Sequence, residues 1–150
     1  MDIKNVESKF QILSSKITRL NIDNSFLIYD ERKAGKKNID VSYKICHIED
    51  LEEKKEHFGV LDIFINIFSE IEEQKCVLNL AIRGFFNAPL DLPQEVFEKM
   101  LKVNGCTALY SIARGMVGSI SSQVFYFGNI VLPMVNFIHF HEVLESSSEQ

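Results

Sequence analysis

The residue types able to do chemistry in this chain are scattered. His139 and His141 would place two imidazoles on one side of a strand, and Cys46-His47 sets a thiol beside an imidazole. Both are metal-ligand types. No third ligand stands at a spacing that converges with either pair, and Cys46, Cys76 and Cys106 lie too far apart in sequence for a structural zinc knuckle. A Cys46 nucleophile would need His47 as its base, yet neighbours on a strand point to opposite faces. Glu52-Glu53 and Glu72-Glu73 pair carboxylates in turn-like stretches with no apolar pocket to raise a pKa. The seven glycines never fall as GxGxxG or GxxxxGK, so no phosphate cradle is encoded. No catalytic group, metal site or cofactor is expected. What remains for function is apolar surface.

The bulk properties agree. A chain of 150 residues fits one domain over 1–150, and 46% hydrophobic with 25% charged residues is an ordinary globular composition. A net charge of −5 argues against a nucleic-acid partner, because no basic stripe would neutralise phosphates. Lys33, Lys36 and Lys37 around Gly35 read as a solvated loop. Met1 to Lys9 is polar and carries both charge signs, unlike a secretory signal, and no apolar run approaches the roughly 20 residues of a membrane span. Three cysteines, an odd number, suit a reducing cytoplasm, and no membrane insertion is expected.

Four strands are predicted before any helix. Phe10 to Ile22 alternates with a change of parity near Ser14-Ser15, which a bulge would produce. A loop over 24–37 follows and opens with Phe26, Leu27, Ile28 and Tyr29. Four large apolar neighbours in a loop cover or bind something. Ile39, Val41, Tyr43 and Ile45 alternate with polar residues, as do Leu61, Ile63, Ile65 and Ile67, and then Cys76, Leu78, Leu80 and Ile82. The charged connection over 49–56 and the acidic turn over 69–74 are short, which predicts an antiparallel meander with one aliphatic face for a helix layer. The opposite face mixes Phe64 and Phe68 with polar residues.

Helices come last. Asp91-Leu92-Pro93 starts a short amphipathic helix through Val103, and Asn104-Gly105 ends or kinks it, since both tolerate a left-handed backbone. Leu109, Ile112, Ala113, Met116, Val117, Ile120, Val124 and Phe127 then mark one face of a long helix. Its small residues suit close approach by a helix of another subunit, with Ile112, Gly115, Met116, Gly118, Ser119 and Ser122 as the expected oligomer contacts. After Gly128 the chain is apolar and proline-containing. From His139, one helical turn and then an acidic, serine-rich tail over about 145–150 are predicted, the tail disordered.

Ala113-Arg114, the Phe127-Gly128 break, Leu132-Pro133 and Val135-Asn136-Phe137, with Phe10-Gln11-Ile12 and Thr18 upstream, resemble the SecB family of bacterial protein-export chaperones. The resemblance runs over about Lys9 to Val143. It implies an α+β fold, a four-stranded antiparallel sheet followed by a long helix packed on one face, assembled as a homotetramer that is a dimer of dimers. It further implies an ATP-independent holdase whose hydrophobic grooves take unfolded preproteins, with the SecA motor as a further partner. Of the acidic residues that such chaperones present to SecA, Asp23 remains, and a basic Arg19 stands near the position of the other. Some SecB-like proteins serve toxin–antitoxin systems, which makes an antitoxin the alternative client. Phe26, Leu27, Ile28, Tyr29, Ile39, Val41, Tyr43, Val135, Phe137 and Phe140 are the expected groove residues, because an apolar groove accepts many sequences through a non-directional force.

A reading of another class is a hot-dog-type small-ligand enzyme, which also wraps a sheet about a long helix. It would need an acid facing that helix, and Asp62 is the one in-strand candidate. Such folds usually place the helix before most strands, whereas here all four strands precede it. A purely structural oligomerisation subunit is the third reading.

Overall fold

Alternating apolar positions become long strands in the computed structural model, which describes residues 8–25, 36–125 and 129–148. β1 (Gln11–Asn24), β2 (Lys36–Leu51), β3 (Glu56–Ile71) and β4 (Gln74–Pro89) form one antiparallel sheet in the order β1-β4-β3-β2. The predicted meander of the last three strands is present. β1 lies on the far side of β4, so the chain crosses the width of the sheet between β1 and β2. Strand ends extend beyond their predicted limits: Lys36 and Lys37 open β2 rather than close a loop, and the charged connection over 49–56 contracts to 52–55. Cross-strand backbone bonds extend a ladder past the residues whose side chains alternate cleanly.

β1 carries two irregularities, one between Ile12 and Ser14 and one between Ile17 and Arg19. The first falls next to the predicted bulge. The second has a clear consequence: skipping Thr18 turns Leu20 to the face that Ile17 occupies. Ile17, Leu20 and Ile22 therefore stand opposite Ile82, Leu80 and Leu78 on the inner face. On β3 and β4 that face is wholly buried, through Leu61, Ile63, Ile65, Ile67, Cys76, Leu78, Leu80 and Ile82.

A helical layer covers this face. α1 (Gln94–Met100) leads into a π-helical stretch (Leu101–Gly105) and then α2 (Cys106–Val124) without interruption. Asn104-Gly105 neither ends nor kinks the helix: Gly105 keeps ordinary right-handed angles, φ −61 and ψ −49. The glycine answers a packing need, because a Cβ there would stand 3.1 Å from Leu61 Cδ2. Phe97, Leu101, Gly105, Leu109, Ala113, Val117 and Ser121 are all buried at steps of four. Steps of four overshoot an α-helical turn, and the wider i→i+5 stretch offsets part of that excess, which helps keep the stripe on the sheet. Gly59 and Gly84 let the layer sit close. A Cβ at Gly84 would meet Leu109 Cδ2 at 2.7 Å, and one at Gly59 would meet Leu101 Cδ1 at 2.6 Å.

The C-terminal part returns as an extended strap over 129–136 and a third helix, α3 (Phe137–Ser148). Asn136 Oδ1 accepts from the Ile138 and His139 amides, at 3.1 and 3.4 Å, and so caps α3. The single helical turn predicted from His139 is corrected here, since α3 runs from Phe137 to Ser148. Among the described residues no helix is long and apolar enough to cross a membrane.

Candidate functional site

The surfaces available to a partner follow from how the strap is held. Three α2 side chains on one flank bind its backbone. Ser121 Oγ accepts from the Ile130 amide at 2.7 Å, Arg114 Nε donates to the Leu132 carbonyl at 2.9 Å, and the Tyr110 hydroxyl donates to the Pro133 carbonyl at 2.7 Å. Ile130 and Leu132 point inward and are buried. Their neighbours on the strap and α3 point out: Val131 is 72% exposed, Met134 82% and Ile138 59%.

α3 then settles against the β2 edge. Phe140 and His141 pack on Tyr43, with ring centroids 6.3 and 4.8 Å away, and His141 Nε2 donates to the Lys102 carbonyl at 2.6 Å. That carbonyl lies in the π-helical stretch. Between α1, the π stretch and α3 opens a cleft of about 760 Å³ whose apolar lining includes Val96, Met100, Val103 and Ile138. Glu95 and Glu142 stand among its polar lining. Ile39, Val41 and Ile45 beside Tyr43 are half-buried against the core.

The β1 edge is different. Ile17, Leu20 and Ile22 on its inner face remain 46%, 45% and 40% exposed. Because the strap occupies the Tyr110–Arg114–Ser121 flank of α2 and leads to β2, the helical period turns Ile112, Met116 and Ile120 toward β1. These three are half-buried. Together with β1 they form an apolar strip along one side of the molecule. The outward side of α2 carries exposed Gly115, Ser119 and Ser122, and a Cβ at Gly115 would meet nothing within 4 Å.

Several predicted residues land elsewhere than expected. Phe137 is a core residue at 2% exposure, packed edge-on against Tyr110 and Phe140, and so lines no groove. Gly118 turns toward the strap, with the Ile130 carbonyl 3.9 Å from its Cβ position, rather than toward open surface. Val135 and Phe140 are half-buried against the core. Phe26, Leu27, Ile28 and Tyr29 lie outside the described residues, as do Phe127 and Gly128. The exposed β1 apolar row and the strap-binding Tyr110, Arg114 and Ser121 are not singled out by the sequence alone. The parity change in β1 was the available signal for the first, and the apolar Leu132–Phe137 run for the second.

The chemistry-bearing residues do not converge. His139 and His141 lie on a helix, not a strand, and have separate partners, Glu142 and the Lys102 carbonyl. Among the described residues no group of three or more His, Cys, Asp or Glu could hold a metal ion. Asp62 sits on the outer sheet face, away from the helices, where Arg83 grips both carboxylate oxygens at 2.7 and 2.8 Å. That hydrogen-bonded guanidinium holds its pKa below the usual carboxylate value despite partial burial. A general base would need the opposite shift, and the face that Asp62 occupies is not the one a hot-dog enzyme would use. Burial pushes the Cys106 thiol up to about 12 and the Cys76 thiol to about 11, so neither supplies a thiolate.

The architecture has a solved counterpart. A SecB-like chaperone from Mycobacterium tuberculosis, Rv1957, in complex with a ChAD peptide from the HigA1 antitoxin, superposes with a TM-score of 0.61 over 84% of this chain and 90% of that one. The fold is SecB-like. Sequence identity in that superposition is 12%, so the likeness concerns fold alone. A Streptococcus agalactiae protein of unknown function is also similar, with a TM-score of 0.46, 12% identity, and coverage of 83% of this chain and 97% of that one. No protein-family model matches the chain, and no curated protein matches it in sequence.

Proposed function

We propose that this protein is a non-enzymatic, ATP-independent holdase that binds unfolded polypeptide on apolar surface and works as a homo-oligomer, a dimer of dimers, in the cytoplasm. The observation that carries the reading is the uncovered apolar surface on an otherwise close-packed SecB-like fold. Val131, Met134 and Ile138 project from the strap and α3, and Ile39, Val41 and Tyr43 on β2 are only half-buried. An unfolded client exposes apolar side chains, and a surface of this kind takes them without demanding a sequence. By residue type alone, Phe26, Leu27, Ile28 and Tyr29 are further candidates for client contact.

The second apolar region has a separate role in this reading. Ile17, Leu20 and Ile22 with Ile112, Met116 and Ile120 form the contact between two copies, while Gly115, Ser119 and Ser122 let helices of further copies approach. Several client surfaces on one assembly then raise avidity without tight individual contacts. Purified protein should run as a tetramer and slow the aggregation of a reductively unfolded client without nucleotide. A monomer that leaves aggregation unchanged refutes the proposal.

An antitoxin segment is the second reading of the client, favoured over a preprotein by the peptide present in the M. tuberculosis structure. A basic Arg19 near the second acidic position also breaks the acidic surface that a SecA contact would use. Pull-down against SecA and against short basic antitoxins separates the two.

A further inference from the structure

His57, the second residue of β3, is 3% exposed and has an oxygen acceptor at each ring nitrogen. Nδ1 stands 2.6 Å from Asp50 Oδ1 across the β2–β3 hairpin, and Nε2 stands 2.7 Å from the carbonyl oxygen of Leu92 in the linker before α1. The ring also stacks on Phe97 of α1, with centroids 5.1 Å apart and planes 19° from parallel. A carbonyl oxygen accepts and cannot donate, and the same holds for an ionised carboxylate. A neutral imidazole has one N–H and would turn a lone pair on one of these oxygens. An imidazolium donates to both.

We infer that His57 is a cationic latch that ties the 90–93 linker and α1 to the sheet, and that loss of its second proton loosens both. Three elements meet the ring. β2 brings Asp50, the linker brings the Leu92 carbonyl, and α1 brings the uncharged Phe97. Asp50 is thus the charged partner among these three. Burial opposes the charge, but the Leu92 carbonyl and the Asp50 carboxylate together raise the ring above its ordinary 6.5. A histidine raised on folding contributes stability that is fully present below its unfolded value and is lost as pH rises through the folded value. The latch therefore holds fully below the ring's ordinary 6.5 and lets go as pH rises through its raised value. Because α1 and the π stretch form one wall of the 760 Å³ cleft, release would change that wall while α3 keeps its bond to Lys102. The inference stands apart from the holdase proposal and does not depend on any client.

The full chain serves for the test. Ring-proton NMR resonances are assigned to His57 with His57→Gln, and its titration is followed in the wild type and in Asp50→Asn. Exchange protection is measured in parallel for the amides of Leu92, Val96 and Phe97, which bond to the carbonyls of Pro89 and Pro93. The expected result is a His57 midpoint above 6.5 that falls in Asp50→Asn. Between about pH 6 and about pH 9, protection of the three amides should drop about tenfold relative to central-strand amides, the equivalent of one charge-assisted hydrogen bond. A midpoint at or below 6.5, or protection that keeps pace with the central strands, overturns the latch. Asp50 is partly exposed, so Asp50→Asn carries the test even if His57→Gln does not fold.

Discussion

The two edge strands of this sheet differ in what covers them. The inner face of β2 has a cover made by the chain itself, since α3 brings Phe140 and His141 onto Tyr43 and His141 binds the π-helical stretch. Among the described residues the inner face of β1 has no such cover beyond α2, and its three large aliphatic residues stay 40–46% exposed. Both rows are equally apolar in composition. What separates them is the strap, which runs along one flank of α2 and leaves the other free. An apolar strip that a chain leaves open on a rigid strand suits a permanent partner such as a second copy. One bordered by outward-pointing residues on a strap, such as Val131 and Met134, suits an exchangeable one.

The largest expected effect would break this distinction. Leu20→Asp places a charge in the proposed subunit contact, where an unpaired charge costs about 3–5 kcal/mol. Analytical ultracentrifugation should then show the assembly dissociating at micromolar protein while the isolated fold persists. An unchanged mass would mean that β1 is not a contact between copies. Next comes Tyr43→Ala, which strips the aromatic seat of α3. Chemical denaturation should register a loss of about 2 kcal/mol in the unfolding free energy. If stability instead stays constant, α3 is not held on β2 as described.

A smaller change should follow Arg114→Met, which removes the donor to the Leu132 carbonyl and loosens the strap by about 1.5 kcal/mol, the range for a hydrogen bond from a charged group. Client binding should weaken with it while oligomeric mass stays fixed, which would sharpen the division between the two surfaces. Smallest is the acid limb of stability. The Asp62 carboxylate is depressed on folding, so its contribution is present above the unfolded carboxylate value and lost as pH falls through the folded one. Thermal melts of Asp62→Asn should accordingly show a shallower loss below about pH 4 than the wild type.

How much could be read in advance varies with how local the cause is. The central strands were legible because period-two alternation in Leu61–Ile67 and Cys76–Ile82 is a property of neighbouring residues. The bulge near Ser14 was legible for the same reason, through the change in parity. The second irregularity left a trace as well, because Leu20 and Ile22 return to the parity of Phe10 and Ile12. Its effect on the inner face shows only when Ile17 and Leu20 are seen opposite Ile82 and Leu80 across the ladder. Asn104-Gly105 reads as a helix stop by backbone preference alone. Its glycine instead answers a packing need inside a right-handed helix, since a Cβ there would stand 3.1 Å from Leu61. His57 carried no signal, because Asp50 and Leu92 reach it only after the hairpin and the linker have folded back.

The candidate surfaces divide in the same way. Residue type named Ile39, Val41, Tyr43, Ile112 and Met116 as apolar and available. It could not tell that Phe137 would be sealed between Tyr110 and Phe140, or that Gly118 would turn to the strap.

By itself, the order of residues determined two-faced strands, an apolar stripe on a long helix, and the lack of converging metal or catalytic spacing. Each depends on periods of two to four residues or on composition, and needs no distant partner. Only the tertiary structure decided which apolar row is covered, which is left open, and which histidine is clasped at both nitrogens. Burial and pairing are set by groups brought together from far along the chain: Tyr43 with Phe140, Arg114 with Leu132, and His57 with Leu92.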